Sequence, residues 1–368
     1  MKAAALSTLF VVTLATGESP WCQNSSAQAQ TGMYGPLGSV DLTGPKGPTG
    51  YYIDLPNSTK IAELFHQGLA HLYGFNGVEC LRNFETAALL SPDCALCQWG
   101  VAMALSPNIN RNIVQQEKLE AAALKAQALV SKQPWLTHKT RRLVTAIQSL
   151  VGAPVPDSYK SPARAKFAAA LCDDGGLQDP DIDAFCASAL MATTPWNYYQ
   201  GVLSPLCIMC AFADSSFMQI PAGGEYDIQK KLIQAKNKLL ANVRGADGGK
   251  PHALAIHLLI HLMEPTNAPK EYKWQALPAA SLLYQGMGYN SSSDALVPSS
   301  GHLTHMPAHL FIRVGEYFAG VQTSLRAVAN NQRYMKDCIH PYTYGHNLKL
   351  LIANARLAGC TQQTSKCD

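Results

Sequence analysis

His257 and His261 stand four residues apart in the apolar run HALAIHLLIHLME, and a second run, GHLTHMPAHLFIRVGEY, carries His302, His305 and His309. With His252, six of the eleven histidines of the chain fall in these two stretches. Residues four apart lie on one helix face, so His257 and His261 can approach a single metal ion. His252, five residues before His257, lies off that face. Proline fits the first turn of a helix and not its interior. The second helix is therefore expected to start near Met306, with His309 on its first turn and His305 at its entrance. Imidazole is a ligand for zinc, copper, iron and nickel. The proposed ligands are His257, His261, His305, His309 and, further on, His346, with His302 next. Three histidines per ion from paired helices would make a coupled dicopper site, the chemistry of an oxidase or an oxygen-binding protein. One zinc held by two or three histidines and an acidic partner, structural or hydrolytic, is the alternative. Glu264, three residues past His261, could orient an imidazole from behind. The plainest reading is a set of core histidines at helix contacts.

Other chemistries find less. Leu258 stands where a zinc-protease HExxH motif needs glutamate. No GxSxG elbow occurs, and the glycine pairs at 175, 223 and 248 carry no phosphate-loop pattern. Trp99, Trp196, Tyr198 and Tyr199 read as core rather than as a cofactor box.

The elements that must hold the histidines read as helices. Leu64, Gly68, His71, Leu72 and Phe75 share a face. After Asn76-Gly77 the segment VECLRNFETAALLSPDC carries Cys80, Phe84, Ala87 and Ala88 at helical spacing, and a third helix carries Cys97, Trp99, Gly100, Ala102 and Met103. Two more helices span 113 to 150, broken at Gln133-Pro134-Trp135. Residues 214 to 226 read as a loop, and HNLKLLIANARLAG as the last helix. No stretch alternates with period two for long enough to argue a sheet. Helix, turn, helix, closed by a proline that opens the next pair, is the tetratricopeptide pattern, whose units bury their faces by stacking. The fold class expected is all-α, TPR-like stacked helix hairpins (an α-solenoid), over residues 57–368, with the histidine-rich region at 252–346. Residues 18–56 differ. They are rich in glycine and proline, include GPKGPTG, and read as an extended arm. Tyr34, Leu37, Val40, Leu42, Tyr51 and Tyr52 make that arm apolar enough to dock in cis, or on another subunit. In the second case head-to-tail contacts close into rings or run on as filaments.

Residues 1–17, MKAAALSTLFVVTLATG, have the charged start, apolar run and small-residue end of a signal peptide. No later run is long enough to span a bilayer. Eleven cysteines in an oxidising compartment favour disulfides, in the CxxC pairs Cys94/Cys97 and Cys207/Cys210 as well, and leave one odd. Cys360 and Cys367 are placed to tie down the tail. Sequons at Asn24, Asn57 and Asn290 complete the picture of a eukaryotic-type secreted glycoprotein. The formal charge of +4 is small for 368 residues and no basic run occurs, so nucleic-acid binding has no support.

Several of these motifs match a known group. The chain resembles bacterial tetratricopeptide-repeat proteins, mostly extracytoplasmic and functionally uncharacterised. Their F-x-Q-G-L…Y-x-F-N opening corresponds to Phe65, Gln67, Gly68, Leu69, Tyr73, Phe75 and Asn76. SPDCALCQWGVAMALSPNIN matches their next block, and HALAIHLLIHLME their histidine block. Gly301 to His309, followed by Arg313, Gly315 and Tyr317, matches their G-H-L-x-H-M-P-x-H block. Tyr344-Gly345-His346-Asn347 matches their closing Y-x-H-N. The resemblance covers about residues 60 to 360. It implies an all-helical repeat fold and supplies no reaction. Where the group often has a histidine this chain has Gly77, and His66 stands where an acidic or amide residue is common.

Taken together, the sequence leads one to expect a secreted metal-binding glycoprotein with a dinuclear copper site or a zinc site. The alternative is a self-assembling extracellular filament protein in which any metal is structural.

Overall fold

The computed structural model describes residues 40–113, 115–173, 179–199, 230–243, 251–265, 276–284, 296–336 and 341–360. The expected signal peptide, the arm before residue 40, Asn24, Asn290, the Cys207/Cys210 pair and the loop at 214 to 226 lie outside them. Thirteen α-helices and no β-strand occur among the described residues. The helices are α1 (Thr59–Tyr73), α2 (Gly77–Leu90), α3 (Ala95–Leu105), α4 (Gln116–Lys132), α5 (His138–Ile147), α6 (Pro162–Cys172) and α7 (Pro180–Ala192). After them come α8 (Lys230–Asn242), α9 (Ala253–Met263), α10 (Leu277–Tyr284), α11 (Gly301–Val314), α12 (Tyr317–Lys336) and α13 (Tyr344–Leu357).

Their boundaries follow from local chemistry. Asn76, Thr137, Ser161, Asp179 and Ser300 each accept a backbone N–H at the start of the helix they precede. Gly315, at φ 84°, ends α11 in the left-handed conformation that glycine adopts without strain. Helices that follow one another among the described residues pack together: α1 on α2, α2 on α3, α3 on α4, α6 on α7, α7 on α8, α11 on α12 and α12 on α13.

Phe84 of α2 shows why glycine stands at Gly68 of the opening motif and at Gly100 of the next block. Its ring lies between Gly68 of α1 and Gly100 of α3, where a Cβ would come within 2.7 Å and 2.4 Å of it. Its edge meets Phe65 at 5.3 Å between centroids. Overpacking a close-packed core costs about 1–3 kcal/mol. Gly100→Ala is therefore expected to lower stability by roughly that amount with helix content unchanged, measured by urea unfolding followed by circular dichroism.

The arm from Val40 to Leu55 docks in cis. Leu42 and Tyr52 are 0% and 1% exposed. The Val40 N–H donates to His66 Nε2 at 2.8 Å, and the Thr43 N–H and hydroxyl both donate to Asp181 Oδ2, at 2.7 and 2.8 Å. His66 is thus an anchor for the arm and takes no part in the histidine cluster. Asp181 also receives Lys139 Nζ at 2.5 Å and lies 3.1 Å from His252 Nε2. Burial alone would raise its carboxyl, but His252 and Lys139 outweigh burial and hold it well below the usual carboxylate range. One buried carboxylate therefore ties the arm, α5, α7 and the residue that caps α9.

Disulfides join Cys94 to Cys97, and Cys172 of α6 to Cys186 of α7. Cys360 is disulfide-bonded too. Cys80 is a buried free thiol. Among the described residues no helix is long and apolar enough to cross a membrane.

Candidate metal centre

Helix α9 is buried along its whole length, as a helix apolar on every side must be. It packs on α1, α7, α8, α10 and α11, which brings its two histidines to the middle of the molecule. Helix α11 corrects the expected boundary. It starts at Gly301, with Pro307 inside it. Ser300 Oγ caps it by accepting from the Leu303 N–H at 3.3 Å, so nucleation does not wait for the proline; Pro307 removes one interior hydrogen bond and leaves the helix continuous. The earlier start has a consequence for the site. His302, His305 and His309 now fall at i, i+3 and i+7, on one face.

All six proposed ligands meet. His257, His261 and His302 form one group, and His305, His309 and His346 a second, with the ligand nitrogens of each group within 4.8 Å of one another. In the first group Nε2 of His257 lies 3.0 Å from Nε2 of both His261 and His302. In the second, Nε2 of His309 lies 3.1 Å from Nε2 of both His305 and His346. The groups are adjacent: the His302 and His305 rings are 4.7 Å apart, those of His261 and His309 6.2 Å. Either triad could hold a metal ion.

Hydrogen bonding alone leaves this arrangement unsatisfied. His257 Nδ1 donates to the Tyr73 carbonyl at 2.6 Å, so its Nε2 carries the lone pair. One lone pair accepts one good hydrogen bond, yet two further nitrogens converge on it. His309 Nδ1 donates to Glu264 Oε1 at 2.9 Å and places its Nε2 in the same position. Nδ1 of His261 and of His305 is buried without a partner. Three nitrogens about 2.0–2.1 Å from a shared cation would lie roughly 3.3 Å apart, close to the separations seen.

The electrostatics agree with that reading. Burial pushes His257 down to about 3 and His346 to about 4, and lowers His261, His302 and His305 well below the ordinary histidine value. Near neutral pH these rings are uncharged, the form that binds a metal. For Glu264 burial acts upward, but His309 and Arg313 outweigh it and its carboxyl is lowered. Its partner is the imidazole across the helix pair and not His261, its own-helix neighbour. A carboxylate behind a histidine ligand raises the ligand's basicity and fixes its ring; losing it typically costs 10–100-fold in metal affinity. Glu264→Gln is expected to weaken the second triad by that factor and leave the first unchanged, as read by competitive metal titration.

Three residues around the first triad were not legible as site residues. Phe75, Trp196 and Thr343 are the non-glycine residues with positive φ among those described, at 58°, 63° and 56°. All three touch the first triad. The Phe75 ring lies 4.4 Å from His257, 6.1 Å from His261 and 5.9 Å from His302. Trp196 meets the His261 ring edge-on at 5.1 Å, and the Thr343 hydroxyl is 3.2 Å from His302 Nδ1. Such backbone strain costs about 1–3 kcal/mol per residue and persists where the surroundings over-determine it. The signal in sequence was only Phe75 and Asn76 within the opening motif.

The remaining candidates fall elsewhere. His252 caps α9 and stays out of both triads. A Cβ on Gly77 would meet Arg111 Nη1 at 1.9 Å, so the guanidinium fills the place where a side chain at 77 would stand. Trp99, Tyr198 and Tyr199 are core. Asn57 is exposed in front of α1. No family model, curated protein or solved structure matches the chain.

Proposed function

We propose that this is a secreted metalloprotein whose two histidine triads hold a coupled pair of copper ions, for binding or activating dioxygen. The carrying observation is the ligand set: two adjacent triads, buried, built from imidazole alone. Glu264 is the carboxylate in contact with a ligand, and it sits behind His309 rather than among the nitrogens. Two zinc ions would bring four positive charges into this interior against one carboxylate, and buried charge that is not compensated is costly. Two cuprous ions bring half that charge. In the cupric state copper also stands above zinc in affinity for nitrogen sites. Bound there, the pair would supply one-electron redox chemistry at both triads; the protein supplies neutral ligands, a carboxylate on one side and a cover of aromatic rings on the other.

Burial narrows the activity. His257 and His305 are 0% exposed, and His346 is only partly exposed, so a small ligand or an electron reaches the ions and a bulky substrate does not. Elemental analysis of the purified protein is the decisive measurement. Two coppers per chain, with a near-ultraviolet band that appears on oxygenation, is the expected result. Stoichiometric zinc would turn the reading to a structural or hydrolytic site, and absence of any metal would leave core histidines. The tetratricopeptide-type stacking and the N-glycans belong to the same proposal, as does the filament alternative. Since Val40, Leu42, Tyr52 and Leu55 are buried on their own chain, contact with another subunit would use other residues of the arm.

A further inference from the structure

The two triads share a set of ligands but not their surroundings. Glu264, 3% exposed, touches the second through His309 at 2.9 Å. Arg313, which acts on Glu264, is half-buried, and Lys349, near His346, is exposed, so solvent screens both more than it screens that carboxylate. Among the described residues no carboxylate touches His257, His261 or His302. Beyond one another, their hydrogen-bond partners are the Tyr73 carbonyl and the Thr343 hydroxyl. The rest of their cover is aromatic: Phe75 faces all three rings, Trp196 meets His261, and Tyr342 meets His302 edge-on at 5.0 Å. The rings that meet the second triad, among the described residues, are other histidines.

We infer that the triads select different ions: the first, His257, His261 and His302, takes a monovalent cuprous ion and rejects divalent zinc, while the second, His305, His309 and His346, takes either. The inference rests on the triads being metal sites, as proposed above, and adds which ion each can hold. Neutral imidazoles cancel none of an ion's charge, and buried charge is tolerated only where something opposes it. At the second triad Glu264 opposes it. At the first, a divalent ion would double the charge left uncompensated. Zinc also takes a fourth ligand, a water or an anion where the protein supplies three. A hydroxide in that place would cancel one charge, but the ring carbons of Phe75, Trp196 and Tyr342 neither donate to it nor accept from it, and a buried polar group without a partner is costly. A cuprous ion brings half the charge and is complete with three nitrogens.

The test brings the full chain to equilibrium with buffered zinc and, under exclusion of air, with buffered cuprous ion, and counts bound metal by elemental analysis. Two cuprous ions per chain are expected but one tightly held zinc, with the second zinc about a hundredfold weaker. His257→Ala is expected to keep the tight zinc and one cuprous ion. His305→Ala is expected to lose the tight zinc and keep one cuprous ion; His346→Ala, at the partly exposed ligand, serves should that chain fail to fold. Phe75→Asn replaces the ring by a polar side chain of a type that adopts positive φ more readily. Combined with His305→Ala, it is expected to raise zinc affinity at the first triad about tenfold, the worth of one hydrogen bond to the fourth ligand. A loosened core would lower that affinity instead. Two zinc ions held equally tightly in the parent chain, or a tight zinc that His257→Ala removes, would overturn the selectivity and leave the metal sites standing. A chain that takes up neither ion would refute the metal reading itself, and the selectivity with it.

Discussion

The parent chain is expected to hold two metal ions, and His305→Ala one, His257→Ala likewise. The two substitutions strike different triads, since His257 groups with His261 and His302, and His305 with His309 and His346. A structural metal site supplies roughly 10–16 kcal/mol over its ligands, so one of three imidazoles is worth about 3 kcal/mol or more, a hundredfold in affinity. The double variant is expected to hold none. Stability follows occupancy. At a free concentration a thousandfold above its dissociation constant, an ion stabilises the native state by about 4 kcal/mol. Two ions then contribute an amount comparable with the whole stability of a typical domain. Chelation is expected to lower the unfolding midpoint by on the order of 10–20 °C, seen by scanning calorimetry with elemental analysis of the same samples. If the histidines were only core residues, chelation would leave the parent unmoved. Each alanine would then cost the same few kcal/mol with metal or without it.

The metal-free protein is expected to unfold in mild acid, beginning near pH 6. His71 of α1 is buried, and burial, helped by Arg82, pushes it down to about 3; His257 also falls to about 3 and His346 to about 4. In the unfolded chain these groups take up protons as pH falls through about 6.5. In the folded chain they do not until far lower. The unfolded state therefore binds more protons between those limits, and stability drops as pH falls, by about 1.4 kcal/mol per unit for each such group. Asp181, whose carboxyl is lowered, loses its contribution in the same direction, below about pH 4. The three histidines alone reach on the order of 10 kcal/mol by pH 3. Metal held on the triads keeps those rings unprotonated and is expected to move the acid limb downward. His71 lies outside both triads and its Nε2 is buried with no partner, so His71→Leu separates the effects. It is expected to raise acid stability equally in metal-free and metal-loaded protein. An acid limb that His71→Leu does not shift would mean that the ring is not buried neutral.

Much of this was legible along the chain. A run such as ALAIHLLIHLM, apolar on every side, must be an interior helix, and the four-residue spacing puts His257 and His261 on one face of it whatever surrounds them. Asn76 and Ser300 announce helix starts through side chains that accept backbone N–H groups. Even so, Pro307 misled: its local cost argued for a later start, and the cap and core burial of α11 outweighed that cost. That misplacement is why His302 stood second in rank rather than beside His257.

What only the tertiary structure decided is which histidine joins which triad, and what stands behind each ring. His346 is 37 residues from His309 in sequence, and their nitrogens are 3.1 Å apart. Glu264 serves a ring on another helix, and the Tyr73 carbonyl orients a histidine 184 residues away. Periodicity reports the face a residue occupies on its own helix. It carries no information on the rotation and height at which two helices meet, and those are set by contacts such as Phe84 between Gly68 and Gly100. The left-handed backbones of Phe75, Trp196 and Thr343 are likewise invisible in sequence, because no residue of those types prefers that conformation. The arm shows the same division. Its glycines and prolines read as an extended arm, yet residues 45 to 53 turn back, with a bridge between Lys46 and Tyr52, and Asp181, reached across 138 residues from Thr43, decided that residues 40 to 55 lie on their own chain.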